Sequence, residues 1–191
     1  MTGGTPVLQS SIDNLQLKGG TLRVLGIDPG TITTGWGVVE KGAAGRLVYV
    51  SDGEIKTPER AGLSEKLLAI SFGLREAIKA TAPDVCAVES VFFARNVRSA
   101  VLLGHARGVA FLSAAEGGLP VYEYSPATVK QTVSSYGRAD KAQVGKMVSL
   151  LLKKDGFTGP DATDALAVAI CHIHHGVIAR LSERQKAGLS G

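Results

Sequence analysis

Two short apolar runs, Leu22–Asp28 (LRVLGID) and Asp84–Glu89 (DVCAVE), each end on an acid, and this constrains the fold more than any other feature of the chain. Apolar runs of this length between turn signals read as buried strands. Between them, Ser64–Ala82 carries apolar residues at helical spacing (Leu67, Leu68, Ile70, Leu74, Ile78). If the two strands are parallel neighbours, Asp28 and Glu89 stand side by side where strands give way to loops, the place where α/β sheets gather functional groups.

The remaining elements fit that frame. Gly30 to Gly37 reads as a turn, Trp36–Glu40 as an antiparallel partner of the first strand, and Arg46–Lys56 as a third strand. A helix is expected from about Asn96 to Ala115, then a fifth strand, Pro120–Tyr124. Three helices close the chain: Pro126–Ser134, Lys141–Lys153 and Asp161–Leu181. The order predicts an α/β fold, a five-stranded mixed sheet with its first three strands antiparallel and helices on its faces. Residues 21–181 are expected to form a single domain, with residues 1–20 a loose, flexible extension and 182–191 a flexible tail. The first twenty residues lack the basic start and apolar core of a secretory signal.

Charge is distributed unevenly. The net charge is +4, yet Arg95–Lys154 alone holds nine basic residues against three acids, so the remainder is slightly acidic. A basic region beside an acidic one suits a protein that grips phosphates with one part and metals with another. Cys86 and Cys171 lie in apolar sequence, a pattern expected of reduced thiols in a cytoplasmic protein. No apolar run approaches the roughly 20 residues of a membrane span.

The last helix opens on Asp161 and Asp164, three residues apart and so on one face, with Cβ atoms about 5–6 Å apart. Brought against Asp28 and Glu89, these carboxylates cannot all ionise without a cation, because like charges at such range raise one another's pKa. Hard oxygen ligands with positions open to water and phosphate describe Mg²⁺, with Mn²⁺ as a substitute. Two such ions about 3.5–4 Å apart activate a water and stabilise the leaving oxygen of a phosphodiester. The competing reading makes Asp161 a helix cap and the strand-end acids solvated.

Five segments carry a specific resemblance: GIDPGTITTGWGVV from Gly26, AVESVFFARNVRSAVLLGHARGVA from Ala87, EYSPATVKQTV from Glu123, ADKAQV from Ala139, and PDATDALAVAICH from Pro160. Together, in order and spacing from about Leu22 to His174, they resemble the RuvC family of Holliday junction resolvases. The resemblance implies a ribonuclease-H-like fold and a homodimer. It also implies paired symmetric nicks in four-way junction DNA with two Mg²⁺ or Mn²⁺ ions per site, and action beside a RuvA/RuvB branch-migration complex. It assigns the metal site to Asp28, Glu89, Asp161 and Asp164, gives Lys141 a catalytic role, and assigns Lys130 and Lys141 to DNA binding. Phe92 matches an aromatic used at the junction centre.

Phe92 stands beside Phe93, and the nearby Arg95 and Arg98, with Arg138 further on, are expected to contact DNA phosphates. Ala100, Gly104 and Gly108 form a small-residue stripe that either packs on the sheet or makes a two-fold seam. His172, His174 and His175 read as part of a core helix rather than as ligands. Two rival functions remain on sequence alone. Gly26–Asp28 with Gly30, Thr31 and Gly35 is also similar to the first phosphate hairpin of actin-like phosphotransferases, which need a second lobe and a second phosphate loop. A catalytically inactive DNA-binding module would lack one or more of the acids, and all four are present.

Overall fold

The computed structural model describes residues 21–90, 97–135, 137 and 139–188, with side chains as far as His175 at the C-terminal end. The expectations placed on residues 1–20 and on Phe92, Arg95 and Arg138 lie outside the described residues.

Among the described residues the strands are β1 (Leu22–Asp28), β2 (Thr33–Lys41), β3 (Leu47–Lys56), β4 (Val85–Glu89) and β5 (Val121–Tyr124). The helices are α1 (Leu63–Thr81), α2 (Val97–Glu116), α3 (Pro126–Ser134), α4 (Lys141–Leu152) and α5 (Pro160–Gly188). One sheet runs in the order β3-β2-β1-β4-β5. The β1–β2 and β2–β3 pairs are antiparallel, and β1–β4 and β4–β5 are parallel. This is the expected five-stranded mixed sheet.

The alternation of β1 divides the core between the two faces of the sheet. Leu25 and Ile27, with Val38, Cys86 and Val88, pack under Ile70 and Leu74 of α1 and Ala106, Ala110 and Ala114 of α2. Val24, with Val39, Val85 and Ala87, packs under α3, α4 and the buried stretch Leu166–Cys171 of α5. Because α5 is apolar all round in this stretch, it lies wholly inside.

Two expected boundaries differ. The turn read from Gly30 to Gly37 ends earlier, and β2 begins at Thr33, which puts Gly35 and Gly37 inside a strand. Their role is closeness rather than turning: a Cβ on Gly35 would overlap the Asp161 carbonyl, and one on Gly37 the Leu166 side chain. Gly26 of β1 faces the Ala165 carbonyl in the same way. The helix expected to stop at Leu181 continues to Gly188, so the segment read as a tail is helical through that residue. Ser182–Ala187 contains no Pro or Gly to stop it, and Gly188 is the first breaker.

Candidate metal centre

Three glycines that let α5 rest on bare backbone bring the acids together. β1 and β4 are parallel neighbours with Ile27 beside Val88, so Asp28 and Glu89, the next residue of each, leave the sheet at adjacent strand ends. Asp28 pairs with Gly35 of β2, and the missing side chain there admits the Asp161 backbone. Carboxylate oxygens of Asp28, Asp161 and Asp164 come within 4.8 Å of one another. Glu89 stands outside that triad but against it, hydrogen bonded to Asp28 and within electrostatic reach of Asp164.

The electrostatics follow from this crowding. Burial pushes the Asp28 carboxyl up from 3.8 to about 8, and the negative charges of Glu89, Asp164 and Asp161 add to the rise. Burial also raises Glu89, helped by Asp164, while the Asp28 hydrogen bond draws it back. Asp161 rises through burial and then the charge of Glu54. A cluster of carboxyls that resists ionisation is a site that gains from a cation. Its donors are all hard oxygens, and this chemistry fits Mg²⁺ or Mn²⁺ rather than a soft metal.

Two lysines approach from the helices. Asp140 caps α4 by accepting the Gln143 N–H at 2.8 Å, and this fixes Lys141 at the helix start facing α5. The Lys141 ammonium donates to Asp164 Oδ2 at 2.6 Å, and that bond raises its own pKa. Lys130, on α3 behind its Ser125 cap, is close enough to Glu89 to lower the Glu89 pKa. Arg98 is exposed on the first turn of α2.

Other singled-out residues take different places. Tyr124 Oη and His172 Nδ1 are hydrogen bonded at 2.8 Å, and Thr132 Oγ1 and His175 Nε2 at 3.2 Å. Burial lowers the His172 pKa to about 4 and so keeps the ring neutral. These histidines knit β5 and α3 to α5. Arg107, one of the nine basic residues, pairs with Glu123 and lies over the Phe111 ring. A residue that sequence reasoning passed over is Glu54 on β3, whose Oε1 accepts the Asp161 N–H at 3.2 Å. It lies near the end of its strand, as Asp28 and Glu89 do, but it is the strand register that brings it to the helix start.

The family model described as crossover junction endodeoxyribonuclease RuvC matches residues 24–172. A protein of that name from Chloroflexus aggregans is 52% identical over 155 residues, 80% of this chain and 93% of the relative. One from Halorhodospira halophila is 49% identical over 153 residues, 80% of this chain and 90% of the relative. Among solved structures, T. thermophilus RuvC in complex with Holliday junction substrate superposes with a TM-score of 0.77. It is 33% identical, over 83% of this chain and 96% of that one.

Proposed function

The chain belongs to the RuvC family of crossover junction endodeoxyribonucleases, and on that premise we propose that it nicks Holliday junctions through two Mg²⁺ ions held by Asp28, Glu89, Asp161 and Asp164. The observation that carries this reading is the convergence of the three aspartates, from β1 and α5, within 4.8 Å. Burial and mutual repulsion hold the Asp28 proton on, so a cation in its place would relieve the crowding. The actin-like and inactive-module readings have no comparable support.

When bound, the ions supply a nucleophilic water and stabilisation of the leaving oxygen. The protein's residues do the rest. Asp28, central between Glu89 and the α5 pair, would hold metal together with them. Lys141, exposed and adjacent to Asp164, stands where the scissile phosphate would approach, and its ammonium stabilises the charge that grows there. Lys130 extends the positive edge toward Glu89, and Arg98 offers a phosphate contact farther along an arm. Phe92 keeps the junction-centre role that the family resemblance gives it, and Arg95 and Arg138 the phosphate contacts read from the sequence.

A homodimer completes the proposal, because two symmetric nicks need two sites related by the two-fold axis of the junction. The outer face of α2 supports it. Ala100, Gly104 and Gly108 are exposed, a Cβ on either glycine would meet open space, and Val97, Val101 and Leu112 lie out in solvent beside them. An exposed helix face of small and apolar residues, open at both glycines among the described residues, fits a second copy. Among the described residues no helix is long and apolar enough to cross a membrane, and we place the protein in the cytoplasm beside a RuvA/RuvB branch-migration complex.

One comparison tests the function: four-way junction, linear duplex and single strand, each with Mg²⁺ and with EDTA. Paired nicks in the junction alone, and only with Mg²⁺, are the expected result. Equal cutting of linear duplex, or cutting in EDTA, would overturn it.

A further inference from the structure

The start of α5 lacks the means to cap itself. Gly159, just before the helix, has no side chain, and Pro160, its first residue, has no N–H. Asp161 therefore carries the first free N–H of the helix, and Glu54 Oε1 accepts it at 3.2 Å from a strand 107 residues away. The Glu54 side chain is only 5% exposed, and its other cationic neighbour, Lys56 at 3.5 Å, is 76% exposed and contributes little. A nearly buried carboxylate beside an acid cluster is costly unless it has a partner. Here the partner is the positive end of a helix.

Register explains how Glu54 gets there. Gly35 pairs with Asp28 on one side and with Glu54 on the other, so the sheet presents the row Asp28, Gly35, Glu54 on one face. The Asp161 backbone sits on that row, its carbonyl over the bare Cα of Gly35 and its N–H on Glu54. Gly159 is the matching concession from the helix side, because a Cβ there would overlap the Glu54 carboxylate.

We propose that Glu54 is a positioning residue for the metal centre: reaching past Gly159, its carboxylate caps α5 from another strand and fixes where the Asp161 carboxylate stands relative to Asp28. The proposal rests on the reading of Asp161 as a metal ligand given above. Glu54 touches neither ion nor DNA in this role and acts only through the backbone of Asp161.

Three variants of the full chain test it: Glu54→Ala, which removes the cap; Glu54→Gln, which keeps an acceptor oxygen without the charge; and Gly159→Ala, which displaces the carboxylate with Glu54 in place. Amide exchange over 160–166 in EDTA should quicken about fivefold in Glu54→Ala. Its kcat on a four-way junction should fall about tenfold with junction affinity unchanged. Gly159→Ala should repeat that pattern, and it replaces Glu54→Ala if the latter does not fold. Glu54→Gln should stay within about threefold of wild type in both measurements. Unchanged exchange, unchanged kcat, or a Glu54→Gln protein as impaired as Glu54→Ala each overturns the proposal. Mn²⁺ binding by wild type and Asp28→Asn, read by loss of the free-ion spin-resonance signal, tests the metal reading separately. A wild type that binds no Mn²⁺ defeats that reading, while the exchange comparison still decides the cap.

Discussion

Lys141 donates to Asp164 across the mouth of the acid cluster, Nζ to Oδ2 at 2.6 Å, so a cation entering the cluster competes with an ammonium for one of its ligands. Were Asp164 to hold a cation, the Lys141 ammonium would be released to meet phosphate. Lys141→Met removes the competitor and the phosphate contact together. Mn²⁺ affinity without DNA should hold or rise a few-fold, while kcat on the junction falls about 10²-fold, the scale for loss of a group aimed at developing charge. Calorimetric titration and single-turnover cleavage check the two halves. Weakened Mn²⁺ binding would instead make Lys141 a support of the cluster.

Asp28→Asn keeps the shape of the side chain and removes the acid that could ionise for a cation between Glu89 and the α5 pair. Cutting should fall by more than the roughly 10–100-fold that loss of an outer partner of a metal ligand costs. Junction binding in EDTA should be retained. Gel shift and cleavage on the same junction decide this, and near-normal nicking by Asp28→Asn in Mg²⁺ would defeat the two-metal assignment.

The raised Asp28 pKa also sets a pH dependence of stability. A carboxyl at about 8 in the fold, against 3.8 ordinarily, holds its proton more tightly folded than unfolded. Its contribution is complete below 3.8 and is lost as pH rises through about 8. In EDTA the melting temperature should therefore drop between pH 7 and pH 8.5, and drop less in Asp28→Asn. His172, lowered from 6.5 to about 4, has the opposite slope but acts below this window. Mg²⁺ takes the place of the proton, so it should raise the melting temperature by several degrees more at pH 8.5 than at pH 6.5. An equal Mg²⁺ effect at both pH values would mean that ions bind elsewhere.

The sequence carried most of this site because its signals were local. Asp28 and Glu89 end apolar runs, Asp161 and Asp164 share a helix face, and those patterns survive without coordinates. What it did not carry depends on approach between distant segments. Gly35 and Gly37 read as turn residues until α5 is laid on them, and then they are the gap through which Asp161 reaches Asp28. Glu54 looked like one more polar position on a half-exposed strand, and only the register that pairs it with Gly35 puts it under a helix start. The α2 glycines left two readings open, sheet packing or a seam, and the open space beside both among the described residues favours the second.

Salt should separate positioning contacts from chemistry. Junction affinity should fall linearly on logarithmic axes, with a slope of about −0.9 for each phosphate neutralised on a duplex arm. Arg98, exposed on α2, is a phosphate contact in this scheme, so Arg98→Ala should flatten the slope by about one. Lys130→Ala should do the same and also slow cutting, since Lys130 lies within electrostatic reach of Glu89. Affinity measured by fluorescence anisotropy from 50 to 300 mM salt is the check, and a flat line would remove the phosphate-gripping role.

Gly104 gives the sharpest test of assembly. A Cβ there would meet no atom within 4 Å among the described residues, so a larger side chain such as leucine has room to stand outward without displacing the core. On the outer face of α2 the same leucine would stand between two copies, where Val101 and Leu112 offer the apolar surface and the small residues allow close approach. Gly104→Leu should therefore melt within a few degrees of wild type yet sediment as a monomer at micromolar concentration. It should still nick one strand of a junction, because each subunit keeps its own acids, but the second nick should come late and at an independent rate. A cruciform plasmid reads this directly: coordinated cutting gives linear product, and uncoupled cutting gives nicked circles. If Gly104→Leu remains dimeric and linearises the plasmid as wild type does, the seam lies on another face.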